Sequence, residues 1–356
     1  MHESGVTSPP KRSSLVAPSL TPLAILAIFT LTTTLVSSPT QAAGGRCTAT
    51  AKALFKACGN ETQDDWWVAS ARCINVDDDG ERAECHADAA AERRDADRTC
   101  LETLQWRLDA CGVIGEARYD PDFDPALFDT DFAHPTHANP YFPIRPGNRW
   151  EFVSPNETDS LEVLSDTKLM AGVRCVVVRD IVRRNGQVHE NTDDWFAQAK
   201  DGTVWYCGEE VKNFDVFAGD SPANPELVSV DGSFKAGRDG DKPGIIFLAA
   251  PEEGDAYLEE FSLGNAEDVT EILSTNYSYG HDAELDELVP AALANALCSG
   301  DCVVTKNYSL LEPGIFARKY FARGIGVFLE VEPDEHIAVR LTSCNVDPRC
   351  ATLPQP

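Results

Sequence analysis

The hydrophobic and polar positions of this chain change period along its length. An apolar run extends from Leu23 to Val36, with Lys11 and Arg12 ahead of it and small residues behind it through Ala42 and Ala43. That order is the order of an export leader, and the run is too short to span a bilayer, which takes about 20 apolar residues. Next comes an Ala- and Glu-rich stretch, "AECHADAAAERRDADRTCLETLQWRLDAC" (83–111), in which Leu101, Leu104 and Leu108 recur at helical spacing. From about residue 140 the period falls to two. "GVRCVVVRDIV" (172–182), "QVHENTDDWFAQA" (187–199) and "DGTVWYCGEE" (201–210) form a meander joined at the hairpin signals Asn185-Gly186 and Asp201-Gly202. "KNYSLL", "FARKYFARG", "GVFLEVE" and "HIAVRL" form a second meander, in which Ile337, Val339 and Leu341 alternate inward. One helix interrupts the strands, opened by Pro290 and closed before Gly300. The pattern predicts an α+β protein: a helical hairpin followed by a curved, mainly antiparallel sheet shaped as a half-barrel.

The cysteines sharpen the first part. Cys47, Cys58, Cys73, Cys85, Cys100 and Cys111 are separated by 11, 15, 12, 15 and 11 positions, a palindrome about the turn at Asp79 and Gly80. Pairing them from the outside in joins Cys47 to Cys111, Cys58 to Cys100 and Cys73 to Cys85, and the residue numbers of every pair add to one value. That is antiparallel register. Steps of 11 and 15 return a helix to nearly the same face, so each arm presents its cysteines to the other. Gly59-Asn60 reads as a helix stop, with a new start near Thr62, so the first arm is expected to be kinked or split there. Cys298 with Cys302, and Cys344 with Cys350, are close enough in the chain to bond. A regular meander puts a strand between Cys175 and Cys207, which argues against joining them and leaves crossed pairings open. Twelve cysteines in an exported chain indicate disulfides and a secreted or periplasmic protein.

Boundaries follow from these shifts. A leader covers 1–43, the six-cysteine hairpin 44–112, an Asp- and Pro-rich linker 113–138, the β domain 139–342 and a tail 343–356. Phe123, Phe128 and Phe132 stand among the linker's charges and are expected to lie on the neighbouring domain.

The chain carries 58 acidic and 30 basic side chains, a formal net charge of −28. Such a surface repels phosphate backbones and anionic membranes, so nucleic acid is not expected as a partner. No later apolar run reaches the length of a span, so no transmembrane segment is expected in the mature chain.

Candidate chemistry is sparse. In "NVDDDGERAEC" (75–85), Asn75, Asp77 and Asp79 match the first, third and fifth positions of a calcium loop, and Gly80 takes the sharp turn. The twelfth position is His86 instead of a bidentate carboxylate, with Glu84 two residues early. Weak calcium binding by Asn75, Asp77, Asp79 and Glu84 therefore stands against a solvated acidic turn. Asp129, Asp131, His134 and His137 are a second possible metal group, opposed by Pro135. No Gly-x-Ser-x-Gly elbow, phosphate loop, haem motif or zincin helix is present, so no catalytic residue is assigned and no cofactor besides calcium is expected. His281 beside Asp282 reads as a surface turn. Trp150, Trp195 and Trp205 are expected to pack the sheet, and Gly324 to Gly326 to make a bend in it.

"NPYFPIRPGNRWEF" (139–152), "DWFAQAKDGTVWYCGEE" (194–210), "KPGIIFLAAPEEGDAY" (242–257) and "LEPGIFARKYFARGIGVFLEV" (311–331) resemble successive motifs of a family of exported bacterial proteins with no known function. The resemblance covers about 139–342 and excludes the hairpin; it departs from the family around Val289 to Cys302. More remotely the plan is similar to the curved, half-open sheets of periplasmic lipoprotein carriers, which implies a concave apolar face able to hold a lipid or hydrophobic peptide. The function expected is that of an exported, non-catalytic binding module holding an apolar ligand. The alternatives are a cell-surface or matrix protein that meets its partner through the hairpin, with weak calcium binding, and a hydrolase working through carboxylates or His281.

Overall fold

The stapled hairpin forms as its spacing predicts. The protein is described by a computed structural model over residues 45–355, so the leader expected over 1–43 lies outside the described residues. Helix α1 (Arg46–Cys73) and helix α2 (Asp79–Ile114) run antiparallel. The disulfides Cys47–Cys111, Cys58–Cys100 and Cys73–Cys85 join them, with Cα separations of 5.6, 5.9 and 5.5 Å. Asp78 caps α2 by accepting from the backbone N–H groups of Gly80 and Glu81, and Glu116 receives the N–H of Thr48 at the start of α1. The expected break at Gly59 does not occur, and α1 is continuous through it. The staples at Cys58 and Cys73 bracket the position, and Thr62 ties it locally, its hydroxyl meeting the Gly59 carbonyl and the Asp97 carboxylate. Tertiary restraint outweighs the roughly 1 kcal/mol that a helical glycine costs.

The rest is one antiparallel sheet. Its strands are β1 (Arg149–Val153), β2 (Glu157–Met170), β3 (Val173–Arg184), β4 (Gln187–Gln198), β5 (Val204–Asp215), β6 (Glu226–Ser229), β7 (Phe234–Lys235), β8 (Gly244–Phe247), β9 (Ala256–Leu258) and β10 (Asp268–Tyr277). After helix α3 (Ala291–Leu297) come β11 (Cys302–Ser309), β12 (Ala317–Ala322), β13 (Gly326–Glu332) and β14 (Ile337–Cys344). The order β6-β5-β4-β3-β2-β1-β14-β13-β12-β11-β10-β9 unites the two meanders, with β7 and β8 both against β5. β1 joins them by pairing with β2 on one side and β14 on the other.

Irregularities in register curl this sheet. Shifts occur between β1 and β14, β2 and β3, β3 and β4, β4 and β5, β10 and β11, and β12 and β13. Each bends a strand and tightens its twist. The curl brings the two ends of the sheet together, where Lys242 ahead of β8 bridges to Phe261 beyond β9. At that seam Gly244 lies against the carbonyl of Glu259 so closely that any Cβ would collide with it. The sheet nearly closes, yet β8 and β9 form no ladder and the barrel stays open.

The outer face is covered piecewise. Linker residues Phe123 and Phe128 pack on Trp205, and Phe128 belongs to a buried cluster with Met170, Val177 and Trp195. The linker's aromatics thus lie on the sheet as expected. Helix α3 packs Leu293, Ala294 and Leu297 in one cluster with Tyr277, Val304, Tyr320 and Phe328 of β10 to β13, and the turn ahead of it accepts from Tyr320 Oη at Leu285 O and from Arg318 at Glu284 O. The end of α2 seats on β9 to β11: Trp106 Nε1 donates to Ser309 O at 2.9 Å, and buried Arg107 makes a bidentate pair with Glu267.

Cys175 and Cys207 are bonded, against the sequence expectation. β4 does lie between them. However, Phe196 pairs with Tyr206 and Trp195 with Gly208, so Cys207 is the extra residue of a bulge. The strand between presents only Ala197 beneath the bridge. The Cα atoms are 6.7 Å apart, well under the two flat strand spacings of about 4.8 Å each that a regular meander imposes. Cys298–Cys302 and Cys344–Cys350 form as expected, and no cysteine is free.

Candidate functional site

Inside the curl the inward positions enclose a cavity of about 290 Å³, near the lower end of small-molecule sites. Strand alternation supplies its wall. Leu161 and Val163 of β2, Val178 of β3 and Phe196 of β4 point inward, joined by Trp150 and Phe152 of β1 and by Val339 of β14. Phe142 and Ile144 close one side from the loop ahead of β1, with Phe321 and Ile246 across from them. Trp150 is fixed in place by donating Nε1 to Ile325 O at 2.8 Å. This tryptophan therefore both packs the sheet and lines the cavity, whereas the sequence reading favoured packing alone.

One band of the wall is acidic. Asp159, Asp180 and Asp194 follow one another diagonally across β2, β3 and β4, and Glu209 stands opposite Asp194 on β5. Across the seam, Glu259, Glu260 and Asp268 bring further carboxyls, and Glu330 of β13 faces Lys319 of β12. Seven of these carboxyls, all but Glu209, and one ammonium line the space. Most of these side chains keep some accessible surface although protein surrounds them, because the surface they keep faces the cavity.

Loss of hydration governs their ionisation. It pushes Asp159 up to about 6, Asp194 up to about 8 and Glu209 up to about 9, and neighbouring carboxyls add to each shift. Asp180 and Glu260 are raised well above the usual carboxylate range for the same two reasons. Tyr206 donates its hydroxyl to Asp194, which only partly offsets the burial. Lys319 is held cationic chiefly by Glu330. Asp180, Asp194 and Glu260 thus favour the protonated form at neutral pH, so the acidic band holds hydrogen-bonding carboxyls beside its aromatic walls.

A second cavity of about 570 Å³ lies between the hairpin and the seam, lined by Arg46, Ala51, Tyr119, Tyr257 and Leu258 among others. Glu260 lines both cavities.

The residues singled out from sequence lie elsewhere. Asn75 spends its side-chain amide on Ala71 O, Asp79 pairs with Arg82, and Asp77 and Glu84 are exposed at the hairpin tip. It is Asp78, between the template positions, that takes the capping role. Asp131 accepts from His134 at 3.2 Å, His137 Nδ1 lies 2.6 Å from Lys200 O, and Asp129 binds Thr136. His281 is exposed on the turn after β10. Among the described residues no group of three or more His, Cys, Asp or Glu side chains is placed to hold a metal ion. The acidic band went unmarked in the sequence because isolated acids in a chain this acidic read as solvated.

Comparison of the chain with protein families, with curated proteins and with solved structures returned no match. The resemblance of residues 139–342 to exported bacterial proteins rests on the motifs alone. Among the described residues no helix is long and apolar enough to cross a membrane, and the six disulfides are those of a chain folded under oxidising conditions.

Proposed function

We propose that this is an exported binding module whose curled sheet holds a small ligand with an apolar body. What carries the reading is one observation: the concave face is not filled by its own side chains but keeps a cavity floored by Trp150, Phe142, Phe196 and Phe321. A sheet built only for stability would fill that face, since apolar wall left uncovered forgoes about 25 cal/mol per Å² of burial. Trp150 makes the test direct. A neutral polarity-sensitive dye such as Nile red is titrated into the oxidised protein while tryptophan fluorescence is followed, alongside native mass spectrometry of the protein as secreted. The reading expects saturable dye uptake, energy transfer that weakens in Trp150→Phe, and a co-purifying mass of small-molecule size. Absence of dye uptake, together with a bare chain in the mass spectrum, refutes it.

A second reading has its own observation. The end of α2 anchors the hairpin to the sheet, and farther along the hairpin Trp67 is 60% exposed. An exposed tryptophan on a rigid stapled arm fits contact with a surface partner. In that case Trp67→Ala abolishes retention at the cell surface without changing stability.

A further inference from the structure

We propose that the ligand of the cavity is an organic cation, a protonated amine carried on an apolar body. The inference rests on the reading of the cavity as a ligand site and names the chemistry of what enters it. The first support is the makeup of the wall: seven carboxyls, able to ionise against an entering cation, face the space against Lys319, which Glu330 opposes directly across β12 and β13. A second observation is independent of that count. Glu260 is enclosed by protein at the cavity wall, and the groups that bear on it most strongly are the carboxyls Asp268, Glu209, Glu259 and Asp194. Its carboxyl accepts no hydrogen bond from a described residue and is open to the cavity that it lines. Asp159 Oδ1 and Asp180 Oδ1 are buried with no donor beyond the proton that the two carboxyls share.

Buried polar atoms left unpaired are costly, and a hydrogen-bond donor entering the cavity removes that cost. A donor that also carries positive charge gains more, because the carboxyls ionise as it enters. A bare metal ion fits less well. The acids are spread over β2, β3, β4 and the seam, and no three of them converge. An amine with an apolar tail spans both parts of the site, its head at the band and its tail on Phe142 and Phe196, where a ring face also attracts a cation. A carboxylate-headed ligand would have Lys319 alone to bind, and Glu330 already occupies it electrostatically.

The experiment compares three probes with one tail, octylammonium, octanol and octanoate, by isothermal titration calorimetry on the oxidised full mature chain. Two buffers of different protonation enthalpy count the protons exchanged. The expected result is that octylammonium binds at least roughly tenfold more tightly than either other probe, with proton release and with affinity rising with pH. Asp180→Asn and Glu260→Gln each remove most of that preference while octanol affinity stays unchanged. Equal binding of octylammonium and octanol, or tighter binding of octanoate, overturns the cation while leaving the cavity as an apolar site. Failure of all three to bind a chain that is folded by circular dichroism overturns both readings.

Discussion

Asp194 offers a measurement in which the cavity's electrostatics is read as stability. The carboxyl sits on β4 facing Asp180, Glu190, Asp193 and Glu209, and its one hydrogen bond comes from the Tyr206 hydroxyl. Folding raises it from an ordinary 3.8 to about 8. Across that window the folded state holds a proton that the unfolded chain has released, so stability falls as pH rises, by about 1.4 kcal/mol per pH unit for each such group. Between about pH 5 and about pH 7 Asp194 alone accounts for a loss of about 2.7 kcal/mol. Asp194→Asn keeps the shape and the oxygen that accepts from Tyr206, and it cannot ionise. The variant is therefore expected to gain about 2–3 kcal/mol on the wild type between those two pH values. Its own curve still declines, because Asp159 and Glu209 titrate in the same range. Urea unfolding followed by tryptophan fluorescence, at several pH values with the disulfides intact, gives both curves. Parallel curves would falsify the account, since they would mean that Asp194 is ionised in the folded protein at neutral pH.

Other perturbations test how the parts are joined. Arg107→Ala leaves Glu267 buried without its cation where α2 seats on the sheet, the Gly264 N–H still donating to it, and is expected to cost about 3 kcal/mol; limited proteolysis should then cut the linker while the stapled hairpin survives. The double variant Cys175→Ala/Cys207→Ala removes a bridge closing 32 residues and is expected to lose about 3–4 kcal/mol in chemical denaturation; an unchanged midpoint would show that the β5 bulge holds by itself. Gly244→Ala forces a Cβ into the Glu259 carbonyl at the seam, and a fall in melting temperature accompanied by faster dye exchange is the outcome expected.

The hairpin was legible in the chain because its information is local. Helical period and cysteine spacing are both arithmetic along the sequence, and a nested register satisfies them together, as the three bridges show. The strands β3, β4, β5 and β12 to β14, helix α3 and the turn at Asn185-Gly186 were legible for the same reason. Strand β2 was not, because "ETDSLEVLSDTKLM" carries polar residues on both faces and a register shift breaks its alternation. At the calcium template, the side chains of Asn75 and Asp79 turn to Ala71 O and Arg82 in the helix ends beside them, partners that the spacing does not reveal.

What only the tertiary structure decided is where the acids go. Asp159, Asp180, Asp194, Glu260 and Asp268 lie on strands far apart in the chain, and alternation alone assigns each to a face without saying which face is inside. A flat sheet would leave them in water, as their composition implies. Bulges supply the curvature, and each shifts the phase of every residue beyond it, so the inward set cannot be counted from either end of a strand. The same curvature brings Cys207 to Cys175 over Ala197 and Lys242 to Phe261 at the seam. Sequence determined the elements and the hairpin's staples; the accumulated bend of fourteen strands, a non-local quantity, decided that the charged face became an interior.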